Sequence, residues 1–156
     1  MAAVVARSLR DVARGRRVES LLLRKSQDLI CKNLMCEHVG SSCACKLSLV
    51  LERVPELRVM DLSANQLRFL PASTFTLTKL VDLDVSHNEL RALPNELSQL
   101  KELRVLDVSH NRIATISKEL IGEMPSLEEI RVTGNPVPSE TLAALQAHFK
   151  HIKLVD

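Results

Sequence analysis

The most regular feature of the sequence is an alternation of apolar and polar residues that recurs along the chain. Four segments follow the pattern L-x-x-L-x-L-x-x-N-x-L, namely "LRVMDLSANQL" from Leu57, "LVDLDVSHNEL" from Leu80, "LRVLDVSHNRI" from Leu103 and "LEEIRVTGNPV" from Leu127, with starts 23, 23 and 24 residues apart. In each copy the fourth and sixth residues are apolar and the residue between them is polar, which is the period of a strand with one buried face. Strands joined by connections of this length pair in parallel, so the pattern predicts stacked coils around one apolar interior.

This repeat resembles that of the leucine-rich-repeat family, strongly from Leu57 to Pro138 and loosely at both ends. The 23-residue period and the "LP" in "RFLPASTFTLTK" and "RALPNELSQLKE" resemble the short intracellular class typified by the Ras suppressor proteins. The resemblance implies an α/β solenoid with a curved parallel sheet on its concave side. Short helices or turns on the convex side and a cap at each end complete the expected architecture.

The N-terminal part is expected to be less regular than the rest of a single domain spanning residues 1–156. Val5, Leu9 and Val12 are spaced as on a helix, which predicts an N-terminal capping helix over residues 1–17 that stops at Gly15. Residues 18–56 are expected to form an atypical first repeat. It exceeds the 23-residue period by about sixteen residues, and this insertion contains every cysteine of the chain.

The C-terminal part is expected to close the solenoid. The regular repeats occupy residues 57–138, and residues 139–156 are predicted to form a C-terminal capping helix and a final strand. Ser139 is the predicted N-cap of that helix, and Ile152 and Leu154 are the predicted inward residues of the strand.

One asparagine recurs in every copy, where the chain turns inward after the strand. A buried amide at this bend can pair with backbone groups of its own coil and of the neighbouring coil. We therefore assign a structural role to Asn65, Asn88, Asn111 and Asn135.

The polar strand positions are predicted to form columns across neighbouring coils on the concave side. The central column contains Asp61, Asp84, Asp107, Arg131 and Lys153, with Val59, Asp82, Val105, Glu129 and His151 on one side and Ser63, Ser86, Ser109, Thr133 and Val155 on the other. Neighbouring parallel strands are about 4.8 Å apart, so stacked carboxylates repel one another and favour an external cation. Alternatively, each Asp bonds a nearby hydroxyl or backbone group.

Histidines and cysteines are the candidate metal ligands. His87 and His110 occupy equivalent positions and are expected side by side, but residues repeated by translation do not converge as tetrahedral zinc requires. The cysteines run C-x4-C-x6-C-x-C, with His38 among them, and match neither common zinc spacing. The sequence therefore favours no metal, and free thiols in a reducing compartment, for Cys31, Cys36, Cys43 and Cys45.

Composition narrows the possible functions. The net charge is +2, and the chain has three Phe, no Tyr and no Trp, which argues against a nucleic-acid partner. No stretch approaches 18 continuous apolar residues, so no membrane span is expected. A glycine-rich phosphate loop, H-E-x-x-H and G-x-S-x-G are all missing from the sequence, which argues against an enzyme and against a cofactor.

These observations predict a non-catalytic protein-interaction module or adaptor, monomeric by itself, that binds a partner with a basic contact patch on its concave face. The expected contacts are Asp61, Asp82, Asp84, His87, Asp107, His110, Glu129 and Arg131. Two alternatives stay open: a structural subunit of a large multiprotein assembly, or a regulatory or targeting subunit of an enzyme. A cytoplasmic location is expected, with a mitochondrial one as the alternative because the Arg-rich N-terminus also fits a presequence.

Overall fold

In the part of the chain that the structure describes, the fold is built on one sheet of seven parallel strands. A computed structural model of the chain describes residues 4–14 and 17–156. The strands are β1 Val4–Ala6, β2 Val18–Leu22, β3 Val59–Asp61, β4 Asp82–Asp84, β5 Val105–Asp107, β6 Glu129–Arg131 and β7 Lys153–Val155. They are hydrogen-bonded in chain order, and every pairing is parallel. The parallel sheet predicted from the repeat is therefore confirmed.

Short helices lie in the connections between the strands. The α-helices are α1 Leu9–Ala13, α2 Cys45–Leu51, α3 Lys118–Gly122 and α4 Ser139–His148, and the 3-10 helices are Gln27–Leu29, Ala72–Thr76 and Asn95–Gln99. The "LP" of two regular repeats marks the start of a 3-10 helix, because Pro71 and Pro94 occupy the N-cap in an extended conformation. With one strand and one short helix in most coils, the architecture is the expected α/β solenoid. Among the described residues, no helix has the length and apolar character needed to traverse a bilayer.

One apolar core runs through the whole stack of coils. The inward strand residues are at most 2% exposed, and they are Met60, Leu62, Leu83, Val85, Leu106, Val108, Ile130 and Val132. Their register is regular, since Leu83 pairs with Met60 on one side and Leu106 on the other. The alternation in the sequence therefore separates a buried face of the sheet from an exposed one.

The recurrent asparagines hold each coil to the coil before it. The Nδ2 of Asn88 donates to the carbonyl oxygens of Leu62 and Val85, both at 3.0 Å, and its Oδ1 accepts the backbone N–H of Leu67 at 2.9 Å. Asn65, Asn111 and Asn135 make the same kinds of bond. In each case the side chain links backbone groups of its own coil to backbone groups of the preceding coil. These side chains therefore satisfy backbone groups that the bend removes from the strand ladder.

The N-terminus differs from the predicted capping helix over residues 1–17. Val4–Ala6 form β1, which pairs with β2, and the helix is limited to Leu9–Ala13. The β-branched valines favour a strand, whereas Ser8 and Asp11 form a capping box that fixes the start of α1. Gly15, the predicted helix stop, lies outside the described residues.

The C-terminal helix and strand also correct two details of the prediction. Ser139 is the first residue of α4, and the N-cap is Pro138. Lys153 pairs with Glu129, and Val155 pairs with Arg131, so the predicted placement of Lys153 beside Arg131 is wrong by two residues. The side chain of Gln146 fixes this register, because it donates to the carbonyl of Ile152 and accepts from the N–H of Leu154.

We predict that Asn88→Ala destabilises the fold by at least about 1–3 kcal/mol, the cost of leaving a buried polar group unpaired. The substitution removes the acceptor of the Asn65 and Leu67 N–H groups, and it takes one of two asparagine donors from each of the Leu62 and Val85 carbonyls. Urea denaturation followed by circular dichroism measures the change in the free energy of unfolding.

Asn95→Ala is the matched control, because Asn95 is exposed at the start of a 3-10 helix. We expect its effect to stay within about 0.5 kcal/mol, as for an ordinary surface change. Equal effects of the two substitutions would contradict the role assigned to the buried amide.

Candidate functional site

The polar strand residues form one surface on the side of the sheet opposite the core. Strand pairing arranges them in two rows, Val59–Asp82–Val105–Glu129–Lys153 and Asp61–Asp84–Asp107–Arg131–Val155, which together we call the strand face. Six of the eight predicted contact residues lie in these rows, namely Asp61, Asp82, Asp84, Asp107, Glu129 and Arg131. His87 and His110 lie on the turns that follow β4 and β5.

One oxygen of each stacked aspartate is used in a local hydrogen bond. The Oδ1 atoms of Asp61, Asp84 and Asp107 accept the backbone N–H of the serine two residues later, at 2.9, 2.9 and 3.0 Å. The hydroxyls of Ser63 and Ser109 also donate to these oxygens, both at 2.6 Å. These are the local bonds of the alternative interpretation, and at Asp61 and Asp84 they leave the second carboxylate oxygen available to a partner.

The serines do not form the predicted third exposed column. Ser63, Ser86 and Ser109 are 0%, 4% and 9% exposed. Each of these serines starts the inward turn, and its backbone N–H donates to the aspartate two residues earlier. The strand face is therefore two residues wide on each of the strands β3 to β7.

The basic end of the strand face is paired internally. The Arg131 guanidinium contacts the carboxylate of Glu129 through Nε, and its Nη1 lies 3.6 Å from Oδ2 of Asp107. The Nζ of Lys153 lies 3.5 Å from Oε2 of Glu129. The hydrogen bond from Arg131 keeps the pKa of Glu129 below its usual value. Arg131 and Lys153 thus compensate the two carboxylates beside them.

The acidic end has no such ion pair among the described residues, and only the more distant charge of Arg131 acts favourably on Asp82. Asp61, Asp82 and Asp84, which we call the acidic patch, have no Lys, Arg or His nitrogen within 4.0 Å among the residues that the structure describes. Burial raises the pKa of Asp82, and the neighbouring charge of Asp84 raises it further. An incoming cation would relieve this repulsion, so the acidic patch is the part of the strand face best suited to a basic ligand.

The two histidines stack on each other beside the strand face. The ring centroids of His87 and His110 are 4.3 Å apart, with an angle of 17° between the planes. Both residues have a φ of 52°, and the next equivalent position is Gly134 with a φ of 73°. A Cβ atom at Gly134 would lie 2.5 Å from Nδ1 of His110. The His110 ring therefore fits beside this turn only because glycine has no side chain.

The structure also brings the four cysteines together, although the sequence favours separate free thiols. The Sγ atoms of Cys31, Cys36, Cys43 and Cys45 all lie within 4.8 Å of one another. Hydrogen bonding to Cys43, then to Cys36, raises the pKa of Cys45 to about 12. The backbone N–H of His38 lowers the pKa of Cys36.

Sequence reasoning missed this cluster because it compared the cysteine spacing with two common zinc motifs only. The available signal was the restriction of all four cysteines to fifteen residues of one irregular insertion. His38, which lies between them in sequence, is turned toward Phe69, with ring centroids 6.4 Å apart.

We predict that Asp84→Asn lowers the pKa of Asp82, because it removes the charge that repels Asp82 most strongly. Titration of the side-chain carboxyl carbons by NMR measures this pKa. Since the folded-state pKa of Asp82 lies above its unfolded value, the folded state binds more protons between the two values, and stability falls as pH rises through that window. Asp82→Asn should therefore raise the melting temperature at neutral pH, by a margin that shrinks in acid.

Glu96→Gln is the control for both measurements, because Glu96 is exposed in the 3-10 helix Asn95–Gln99, away from the strands. It should leave the pKa of Asp82 unchanged. A pKa of Asp82 at the ordinary Asp value would contradict the unfavourable environment described for the acidic patch.

Known proteins resemble this chain in both its sequence repeat and its fold. The family model of the leucine-rich repeat matches residues 55–113. Comparison with curated proteins gives no match. Among solved structures 244 chains match. One is a leucine-rich-repeat protein of Leptospira interrogans, similar with a TM-score of 0.66 and 19% identity over 99% of this chain and 35% of that chain. This chain therefore spans about a third of that structure.

At this level of identity the structural likeness shows the fold alone, and the more specific class of the Ras suppressor proteins stays a prediction. Leucine-rich-repeat domains generally mediate protein–protein interactions, and the fold is typically non-catalytic. The family match over residues 55–113 and the parallel sheet together show that the chain contains leucine-rich repeats and has the leucine-rich-repeat fold.

Proposed function

We propose that the chain is a non-catalytic protein-binding module that captures a basic segment of another protein on its strand face. The observation that carries this proposal is the acidic patch, in which carboxylates of neighbouring strands β3 and β4 have no cation partner among the described residues. Like charges directly opposite each other on neighbouring strands destabilise a sheet. A Lys or Arg side chain from a partner would offset that repulsion.

The surroundings of the patch fit a protein ligand better than a single ion. Val59 and Val105 flank Asp82 in the same row, and both are half-buried. A protein interface combines apolar contacts with charged pairs at its margin, and these valines offer aliphatic surface beside the carboxylates. The expected partner segment therefore has a basic side chain next to apolar ones.

We also propose a cytoplasmic location in preference to a mitochondrial one. The contacts of the N-terminal segment support this choice. Val4 pairs with Val18 in the sheet, and the N–H of Leu9 donates to Oδ2 of Asp28 at 2.8 Å. Removal of a presequence of ordinary length would take β1 and α1 away and expose the edge of β2. The segment is therefore better explained as part of the solenoid.

A photo-crosslinking amino acid at Val105 should capture the partner, whereas the same amino acid at Glu96 should not. Val105 lies on the strand face, and Glu96 lies in a 3-10 helix of the connecting segments. Mass spectrometry identifies proteins cross-linked at the first position and absent at the second. The same partner captured equally from both positions would contradict the assignment of the strand face.

Binding of the purified partner should fall at least about tenfold, equivalent to about 1.4 kcal/mol, when Asp61, Asp82 and Asp84 are all changed to Asn. Asn keeps an oxygen that accepts the N–H groups of Ser63 and Ser86, so the charge is removed while the turn is retained. Isothermal titration calorimetry at two salt concentrations measures the affinity and its screening.

The matched control changes Glu96, Glu123 and Glu140 to Gln, which removes the same number of charges from exposed positions on the connecting segments. This control should bind as the wild type does. Equal losses in the two triple variants would indicate an effect of net charge alone, and an unchanged affinity of the Asn variant would remove the acidic patch from the interface.

A further inference from the structure

The cysteine-containing insertion closes on itself between β2 and α2. The N–H of Cys31 donates to the Ser41 carbonyl at 2.8 Å, and the N–H of Gly40 donates to the Cys31 carbonyl at 2.8 Å. The N–H of Cys43 donates to the Leu29 carbonyl at 2.9 Å. These bonds bring the beginning and the end of residues 31–43 together. Cys45 follows as the first residue of α2, so both ends of the loop present sulfur atoms to one point.

The distances between the sulfur atoms fit a single tetrahedral metal ion. Sγ of Cys36 lies 3.6 Å from that of Cys43 and 3.5 Å from that of Cys45, and Cys43 and Cys45 are 2.9 Å apart. All four atoms, including that of Cys31, lie within 4.8 Å of one another. Four sulfurs around zinc at about 2.3 Å are separated by about 3.8 Å, which lies inside this range.

The loop lacks an apolar core that would otherwise hold it folded. Between Cys31 and Cys43 every residue is exposed or only half-buried. The two large apolar residues at its tip, Leu34 and Met35, are 87% and 92% exposed. Small folded units without enough buried apolar surface depend on disulfides or metal ions, because hydrophobic burial alone does not offset the loss of chain entropy. Among the four cysteines, Cys31 and Cys43 are buried and Cys36 is half-buried.

Backbone N–H groups are already directed at two of the sulfur atoms. The N–H of His38 lies 3.4 Å from Sγ of Cys36, and the N–H of Cys45 lies 3.4 Å from Sγ of Cys43. Such hydrogen bonds orient metal-bound thiolates and stabilise their negative charge. The imidazole of His38 faces Phe69, so the ligand set consists of sulfur alone.

We infer that Cys31, Cys36, Cys43 and Cys45 bind one zinc ion in a closed structural site. Binding converts four thiols to thiolates, releases four protons to solvent and leaves the ion and its ligands with a net charge of −2. Sulfurs this close together leave room for one ion and not for an iron–sulfur cluster, and four protein ligands leave no open position for catalysis. This inference replaces the expectation from the sequence that the four cysteines are separate free thiols.

This zinc ion would attach the insertion to the regular solenoid. Two of its ligands flank the start of α2, whose Leu47 and Leu51 are buried in the common core. The other two ligands, Cys31 and Cys36, belong to the loop itself. No side chain between Cys31 and Cys43 is buried. One ion thus connects a segment without its own core to a helix that belongs to the main core.

The inference is tested first on the wild-type chain, expressed in zinc-supplemented medium and purified under reducing conditions. Inductively coupled plasma mass spectrometry should find one zinc ion per chain. After acid removal of zinc, titration with cobalt(II) should give the visible absorption bands of a tetrahedral thiolate site. Reduced wild-type protein that holds no zinc and gives no such bands would overturn the inference, as would stoichiometric iron in place of zinc or a mass showing disulfides in the freshly purified chain.

Single substitutions then test the ligand set. Cys36→Ser and Cys45→Ser change the two less buried cysteines and should each weaken cobalt affinity by more than about 100-fold. His38→Ala should bind one equivalent with wild-type affinity, because its imidazole is not a ligand. Loss of metal from His38→Ala, or retention of wild-type affinity by both serine variants, would overturn the all-cysteine site.

Limited trypsin digestion gives a readout that does not depend on any variant. Removal of zinc from the wild type with a chelator should increase the rate of cleavage after Lys32, an exposed residue of the loop, by at least about tenfold, as expected for local unfolding. Cleavage after Arg91, an exposed residue of the regular repeats, should not change. Equal rates after Lys32 with and without chelator would show that the ion does not hold the loop, which overturns its structural role.

Discussion

Each coil of this protein ends its strand in a sharp turn, and the turn leaves backbone N–H and carbonyl groups buried away from water. An asparagine amide is short and carries both donors and an acceptor, so it can pair with these groups in two adjacent coils. Asn88 does this for the carbonyls of Leu62 and Val85 and for the N–H of Leu67. The spacing of the coils, and with it the register of the sheet, depends on these bonds.

A fixed register turns residues that are far apart in sequence into direct neighbours. Because Asp61 pairs with Asp84 and Asp84 with Asp107, one repeated side chain becomes a row of like charges. The same translation stacks His87 on His110. Where a coil departs from the repeat, as at Arg131, the row changes sign and the charge is neutralised within the protein. The surface chemistry is therefore set by small departures from an otherwise regular pattern.

The sequence predicted those features that depend on local periodicity. The buried positions of Leu83 and Val85 follow from strand alternation, and the position of Asn88 follows from its recurrence at the turn. Features that depend on the length of a particular connection were harder to predict. The pairing of Lys153 with Glu129 is fixed by Gln146 of α4, a contact that the repeat does not contain. The strand at Val4–Ala6 was missed because three apolar residues fit a helix or a strand equally well.

The cysteine cluster shows why the insertion differs physically from the regular coils. A regular coil has inward leucines and a buried asparagine, so its apolar and polar groups are both satisfied by adjacent coils. The segment between Cys31 and Cys43 has no buried side chain and therefore cannot be stabilised in this way. Backbone hydrogen bonds close this segment, and sulfur ligands that converge from both ends of the loop hold it further when a metal ion joins them. Sequence motifs describe the cysteine spacings of common zinc loops. Metal binding itself requires only that the sulfur atoms converge on one point in space.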